Sequence, residues 1–222
     1  MPLERAQGIV LRLRPWSETS LIVEWLTLEA GRIHTLARGA RRPKSPLRGK
    51  LDVFYRARLA FTRARRSDLH TLVEVVLETT HPGLRRHLNS LRAAGYAARF
   101  VEKYTEPETP VPELFRLLAG WLDRWAVEEA HLGHLVAFEW QWLAASGLQP
   151  DAARSRLSPA ARQLAEELSR LPPGAWPAHA APGAVEGLAH FLARFLPAHL
   201  EPLPPPRPEL PGPAAVPPGE KR

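Results

Sequence analysis

The 222-residue chain contains no cysteine. Disulfides, thiol catalysis and thiolate metal sites are therefore excluded together, and a reducing compartment is the natural setting. No stretch approaches about 18 uninterrupted apolar residues, so no membrane span is expected. The opening MPLERAQGIV has no long apolar run after its charges, so no signal peptide is read there. The expectation is a soluble cytoplasmic protein. Motifs of enzyme chemistry are missing too. There is no Gly-x-x-x-x-Gly-Lys phosphate loop, no Gly-x-Ser-x-Gly elbow and no His-Glu-x-x-His pair. Glu128, His131 and His134 fall at helical spacing, and Glu128-x-x-His131 resembles half of a carboxylate-bridged metal site. No matching second half occurs, and Gly133 places the histidines at a frayed helix start. They read as surface or capping residues. No catalytic residue, metal or cofactor is expected.

Acids are absent from one place in particular. Residues 38–50 read RGARRPKSPLRGK, with six basic side chains in thirteen and no carboxylate. From Arg38 to Arg66 there are eleven Arg or Lys against one acid, Asp52, while the rest of the chain carries 19 basic and 22 acidic residues. The formal charge of +7 thus belongs to one early region. Concentrated positive potential is the footprint of a nucleic-acid binder, although an anionic membrane or an acidic protein would also respond to it. Arg far outnumbers Lys, which reads as a genome or temperature bias before it reads as function.

The first eighty residues alternate with a period of two. Strands are expected at 9–14, 20–28, 32–37, 51–61 and 69–78. In the fourth, Leu51, Val53, Tyr55, Ala57, Leu59 and Phe61 share one face; in the fifth, Leu69, Thr71, Val73, Val75 and Leu77 do. Five short strands without a long helix suggest a small barrel, and a five-stranded oligonucleotide-binding (OB) fold suits the length. At His81-Pro82-Gly83 the period changes to that of helices. Helices are expected from Leu84 to about Tyr104, from Pro112 onward, at 131–146 ending on Gly147, at 158–171 with Ser158 as N-cap, and at 185–200. Trp121, Trp125, Trp140 and Trp142 sit at helical spacings and read as core. Nine of the seventeen residues from Pro202 to Pro218 are proline, so polyproline-like or disordered chain is expected there. The fold class is α+β: an OB barrel over 1–80, an all-helical domain over 81–200 and a flexible Pro-rich tail over 201–222.

The basic segment joins the third and fourth expected strands, so it would project from one barrel end as a mobile loop. On the strand after it, Phe54, Arg56 and Arg58 line the non-core face. Bases stack on an exposed ring at about 1–3 kcal/mol each while Arg pairs with phosphate. Arg63, Arg65 and Arg66 would extend the track. The competing reading is a solvated loop with Phe54 buried against the helical domain. The segment contains no acid or amide arranged to read base edges, so binding indifferent to sequence and strandedness is expected.

With these residues in view, the chain resembles the RecO family of recombination and repair mediators. The start AQGIVLRLRPWSETSLIVEWLTLEAGRIHTLARGARRPKS is similar to the family's opening, including a "GARR-x-KS" block. Leu51-Asp52-Val53-Phe54 resembles the "Leu-x-Pro-Phe" position that follows, and FEWQWLAASGLQPD resembles a helix end of the type "Phe-Glu-x-x-Leu-Leu-x-x-x-Gly-x-x-Pro". The resemblance implies an OB barrel and a helical domain in a bacterial, nucleoid-associated protein that catalyses no reaction. Such proteins bind single- and double-stranded DNA and anneal complementary strands. With RecR they load RecA onto DNA coated by single-strand-binding protein (SSB), whose C-terminal tail they contact; RecF is a further candidate partner. Carried onto this chain, the DNA-facing motif is Arg38, Arg41, Arg42 and Lys44. Arg48, Lys50, Phe54, Arg56 and Arg58 are added from charge and strand phase. Many members carry a four-cysteine zinc site after the Gly-x-x-Pro helix end, which is impossible here. The alternatives are an OB-fold RNA-binding or ribosome-associated factor, and a small enzyme with incidental nucleic-acid affinity.

Overall fold

The computed structural model describes residues 3–153, 155–177 and 179–213. Five strands come first: β1 (Leu3–Pro15), β2 (Leu21–Thr27), β3 (Gly31–Ala37), β4 (Arg56–Thr62) and β5 (Leu69–Thr79). They close into a barrel in the order β1-β2-β3-β5-β4, with β1 pairing antiparallel to both β2 and β4 and β3 pairing parallel to β5. This is the expected OB topology. After a 3-10 turn (Pro82–Arg86) follow α1 (Leu88–Tyr104), α2 (Pro112–Val127), α3 (Leu132–Ala145), α4 (Pro159–Arg170) and α5 (Pro182–His199). Among the described residues no helix is long and apolar enough to cross a membrane. Residues Met1–Pro82 and Ala98–Ala119 form one compact unit, Gly83–Ala97 and Gly120–Arg222 the other.

The barrel core is built from the inward positions of every strand: Val10, Val23, Trp25, Ile33, Leu59, Phe61, Leu72 and Val75. Two departures from strict alternation matter. On β5 the partner of Phe61 is Leu72 but the partner of Ala60 is Glu74, so Val73 is an extra, bulged residue. A one-residue insertion switches which side chains face in. His70 and Leu72 are buried before the bulge and Val75 after it, while Val73 is half exposed; the expected inward row of Leu69, Thr71 and Val73 is therefore corrected. The fourth strand, expected from Leu51, begins only at Arg56. Tyr55 N–H donates to Asp52 O at 3.2 Å, closing a turn that interrupts the alternation.

Gly31 begins β3 at φ +68, and a Cβ there would lie 2.1 Å from the Thr109 carbonyl oxygen. The strand can thus receive the segment after α1: Glu108 N–H donates to Arg32 O, and the Arg32 guanidinium donates to Thr105 O. Only glycine supplies both that backbone angle and that approach.

In the other unit α3 is the buried element, apolar on nearly all sides, with α4 and α5 packed on it and on each other. Trp121, Trp125, Trp140 and Trp142 are all core, as their spacing predicts. Ser158 caps α4, its hydroxyl accepting from Ala161 N–H, and Gly147 adopts φ +70 just beyond α3. His134, expected near the surface, is instead fully buried; His131 is the N-cap residue of α3, but its side chain makes no capping bond.

The Pro-rich segment forms no helix or strand over 202–213, yet it is fastened rather than loose; residues 214–222 of that expectation lie outside the described residues. Pro211 O accepts from Leu132 N–H at 2.8 Å. Arg207 grips the fully buried Glu139 bidentately, with Nε donating to Oε1 at 2.8 Å and Nη2 to Oε2, and Nη1 reaches Ala189 O at 3.2 Å. Tyr96 donates to the same Oε1 at 2.6 Å. A carboxylate buried this deeply is tolerable only when paired and hydrogen-bonded. Replacing Arg207 with Met should lower the unfolding free energy by about 3–5 kcal/mol, because a buried charge loses its partner. Chemical denaturation checks this, and limited proteolysis should cut the variant first in the Pro-rich segment.

Candidate nucleic-acid interface

The segment between β3 and β4 is a succession of tight turns. Arg42 N–H donates to Gly39 O at 3.0 Å, Ser45 to Arg42 at 3.1 Å, Arg48 to Ser45 at 3.2 Å and Lys50 to Leu47 at 3.1 Å. Leu47 and Ala40 are buried in the barrel core. Arg41 N–H donates to Thr19 O, and Gly39 N–H to the Ser20 hydroxyl, tying the segment to the β1–β2 turn. The expected mobile loop is thus a pinned one. Its polar residues point away from its two apolar anchors because any other arrangement would bury guanidinium groups without partners.

Arg38, Arg41, Arg42, Lys44 and Arg48 are exposed, and Lys50 is half-buried. Among the described residues none of the six forms an ion pair; Arg48 donates to Pro43 O at 3.0 Å, which shapes the turn and leaves its charge unneutralised. Arg56 and Arg58 are differently placed. Both lie on β4 within 3.8 Å and 3.7 Å of Glu78 on β5, with the Arg58 side chain 72% exposed. Their positive potential is partly cancelled.

Phe54 does not offer its ring. It occupies the turn before β4 at φ +67 and is only 7% exposed. Its N–H donates to Val10 O at 2.8 Å and its carbonyl accepts from His81 Nδ1 at 2.7 Å. A left-handed backbone at a bulky residue costs about 1–3 kcal/mol, and those bonds hold it. The expected stacking role is therefore corrected to a structural one. Arg63 is corrected likewise: Glu4, at 2.8 Å, and Glu108 both claim its guanidinium. Arg65 and Arg66 remain exposed.

The aromatic that is exposed is Trp16, 59% accessible, two residues beyond Arg14 at the end of β1. It stands in the β1–β2 turn to which the basic segment is tied. Sequence reasoning passed over it as part of a polar turn; an indole directly after Arg14-Pro15 in a segment otherwise polar was the available signal. Arg14 also lines a groove of about 300 Å³, together with Arg12, Ile22, Glu24, His34 and Leu69, among others. In OB folds the face of strands 2 and 3 and the adjoining loops commonly hold oligonucleotides.

The groove floor is held electrostatically. Arg12 pairs with Glu102 at 2.5 Å, and Glu24, nearly buried, lies 3.0 Å from Arg32 and 3.6 Å from His34. Burial raises the Glu24 carboxyl, but His34 and Arg32 together outweigh it and hold the group below its ordinary value of 4.5.

Family comparison agrees with this architecture. The model for the N-terminal part of recombination protein O matches residues 1–80, and that for its C-terminal part matches residues 85–203. The chain belongs to the RecO family. Relatives described as DNA repair protein RecO include that of Geobacter metallireducens, 35% identical over 124 residues, or 56% of this chain and 50% of the relative. That of Actinobacillus pleuropneumoniae serotype 7 is 35% identical over 142 residues (64% and 58%), and that of Rhodopirellula baltica 36% over 151 residues (66% and 54%). The matched stretch thus spans about half the length of these RecO relatives.

A carboxyl depressed on folding contributes stability above its unfolded value and loses it as pH falls through the folded one. Thermal midpoints of this RecO-family chain should accordingly drop as pH is lowered below about 4.5, the ordinary value of Glu24. Glu24→Gln should start lower at neutral pH and show a shallower decline, as followed by circular dichroism.

Proposed function

We propose that this chain is a DNA repair and recombination mediator that binds single- and double-stranded DNA without regard to sequence. It anneals complementary strands and, with RecR, helps load RecA onto SSB-coated single strands; the SSB C-terminal tail meets the helical domain, and RecF is a further candidate partner. No reaction is assigned to it. The observation that carries the reading is the set of six cations at 38–50, held on a pinned series of turns and unpaired among the described residues. Family membership supports the repair role.

Phosphate is the ligand such an array suits. Guanidinium and ammonium groups neutralise phosphates, and release of the condensed counterions drives association. No carboxylate or amide stands in the segment to read a base edge, and contacts of its cations to phosphate position the strand without carrying sequence information. Annealing follows from the same charge, because a cationic surface screens two strands from each other while mobile salt-like contacts let bases find register. Arg58 adds a weaker contact, tempered by Glu78, and Phe54 adds none.

About six phosphate contacts give a slope of log affinity against log salt near −5 for duplex. Replacing Arg38, Arg41, Arg42 and Lys44 together with Ala should reduce that slope by about three to four and abolish annealing. The thermal midpoint should stay within a degree or two, since none of these side chains is buried. Fluorescence anisotropy across a salt series, with RNA as competitor, checks this; undiminished DNA binding by the variant would remove the assignment, and preferred RNA binding would favour the RNA-factor reading.

Stacking predicts a different signature. Trp16→Ala should weaken single-strand binding by about 1–3 kcal/mol while leaving duplex binding unchanged, because only unpaired bases expose their faces. Quenching of tryptophan fluorescence by oligothymidylate, lost in the variant, reads this directly. Titration calorimetry with an acidic, apolar-ended peptide should give heat of binding if the SSB tail is a partner.

A further inference from the structure

The corner between α2 and α3 gathers Glu128, His131 and His134, with one potential ligand atom from each lying within 4.8 Å of the others. His134 is fully buried, yet neither of its ring nitrogens has a hydrogen-bond partner among the described residues, and the same is true of His131 Nδ1. A buried polar group left unmet costs about 1–3 kcal/mol. Each such group in a folded protein calls for an explanation.

The spacing supplies one. His134 Nε2 faces Glu128 Oε1 at 3.7 Å, too long for a hydrogen bond. A water joining the two by bonds of about 2.8 Å would hold them about 4.5 Å apart. A metal bound at about 2.0–2.1 Å holds tetrahedral neighbours about 3.4 Å apart. The separation is nearer the second. We propose that Glu128, His131 and His134 form a divalent-cation site of two imidazoles and one carboxylate, taking Zn²⁺ or a similar borderline metal, with the remaining position open to water.

The surroundings fit that chemistry. Burial holds His134 down at about 2, aided by His131 and Arg124, and holds His131 at about 4, aided by Arg124. Both rings are neutral at pH 7, the form that ligates. They stack with centroids 3.7 Å apart, so ligation of one ion by both requires the partly exposed His131 ring to turn from this stack. Trp176 covers them edge-on, with ring centroids 5.2 and 5.6 Å away. Gly133 makes room for that indole, since a Cβ there would meet it at 2.4 Å. One feature opposes the ion: Arg124 donates to Glu128 Oε2 at 2.8 Å and repels a second cation. Arg124 thus competes for the carboxylate, which gives the site a signature no purely structural histidine pair would show.

The site is independent of DNA binding, and its test uses the untagged full chain, stripped with chelator and titrated with Zn²⁺ alone. Calorimetry should show one equivalent bound, the thermal midpoint should rise with Zn²⁺, and Co²⁺ in its place should give visible absorption bands and quench tryptophan emission. Glu128→Gln and His131→Ala, both outside the deepest packing, should weaken uptake at least tenfold. Arg124→Gln should strengthen it. Failure of the parent chain to bind an equivalent of Zn²⁺ overturns the proposal, and so does uptake that all three substitutions leave unchanged.

Discussion

The structure depends on the closure of five strands into a barrel in which β3 and β4 are not neighbours. Because β5 runs between them, parallel to β3 and antiparallel to β4, the chain leaving Ala37 must cross the barrel end to reach Arg56. A crossing segment at a barrel end can satisfy its backbone only by turns and by bonds to its neighbours, since no ladder is open to it. The repeated i to i+3 bonds from Ala37 to Lys50 and the tether to Thr19 are that solution. Burial of Ala40 and Leu47 anchors it, and the charged residues between them are left outward. Closure thus creates both the segment and its orientation.

The cysteine-free helical unit meets a related problem by different means. Its central helix is apolar on nearly every side, so its polar residues must find partners inside. Gln141 shows how: its carbonyl accepts from Trp121 Nε1 at 3.0 Å while its amide donates to the carbonyls of Leu168 and Leu171. Glu139 is satisfied by Tyr96 and Arg207. Burial and the adjacent carboxylate raise the Tyr96 hydroxyl far above its usual range, so it remains a donor throughout the physiological interval. Partners from α1 and the Pro-rich segment thus meet Glu139, while partners from α2 and α4 meet Gln141 on another side of α3.

Much of this was legible beforehand because it is local. The β-branched and aromatic run of β2, the alternation of β3, the helical period after His81, the Ser158 cap and the tryptophan spacing each depend on neighbours in sequence. The failures share a cause of the opposite kind. Val73 reads as an ordinary strand residue until its pairing with β4 shows the bulge. Phe54 alternates in step with Arg56 and Arg58, and only its bonds to Val10 and His81 reveal a turn. Arg63 looks like its free neighbours, but Glu4 and Glu108, remote in the chain, neutralise it. The role of Arg207 could not be read from a proline-rich composition, since its carboxylate partner lies 68 positions earlier. In the candidate interface the six loop cations were readable from charge alone, whereas the exposure of Trp16 required the barrel to be built first.

The pinned turns at 38–50 bear on the thermodynamics of any ligand that meets them. A segment that orders only on contact surrenders chain entropy at that moment and leaves a large heat-capacity change behind. Here the turns already exist in the free protein, so the backbone positions that carry the guanidinium groups are preset. A polyanion would be met by a ruler of fixed divisions, and its association would draw almost wholly on displaced ions rather than on folding.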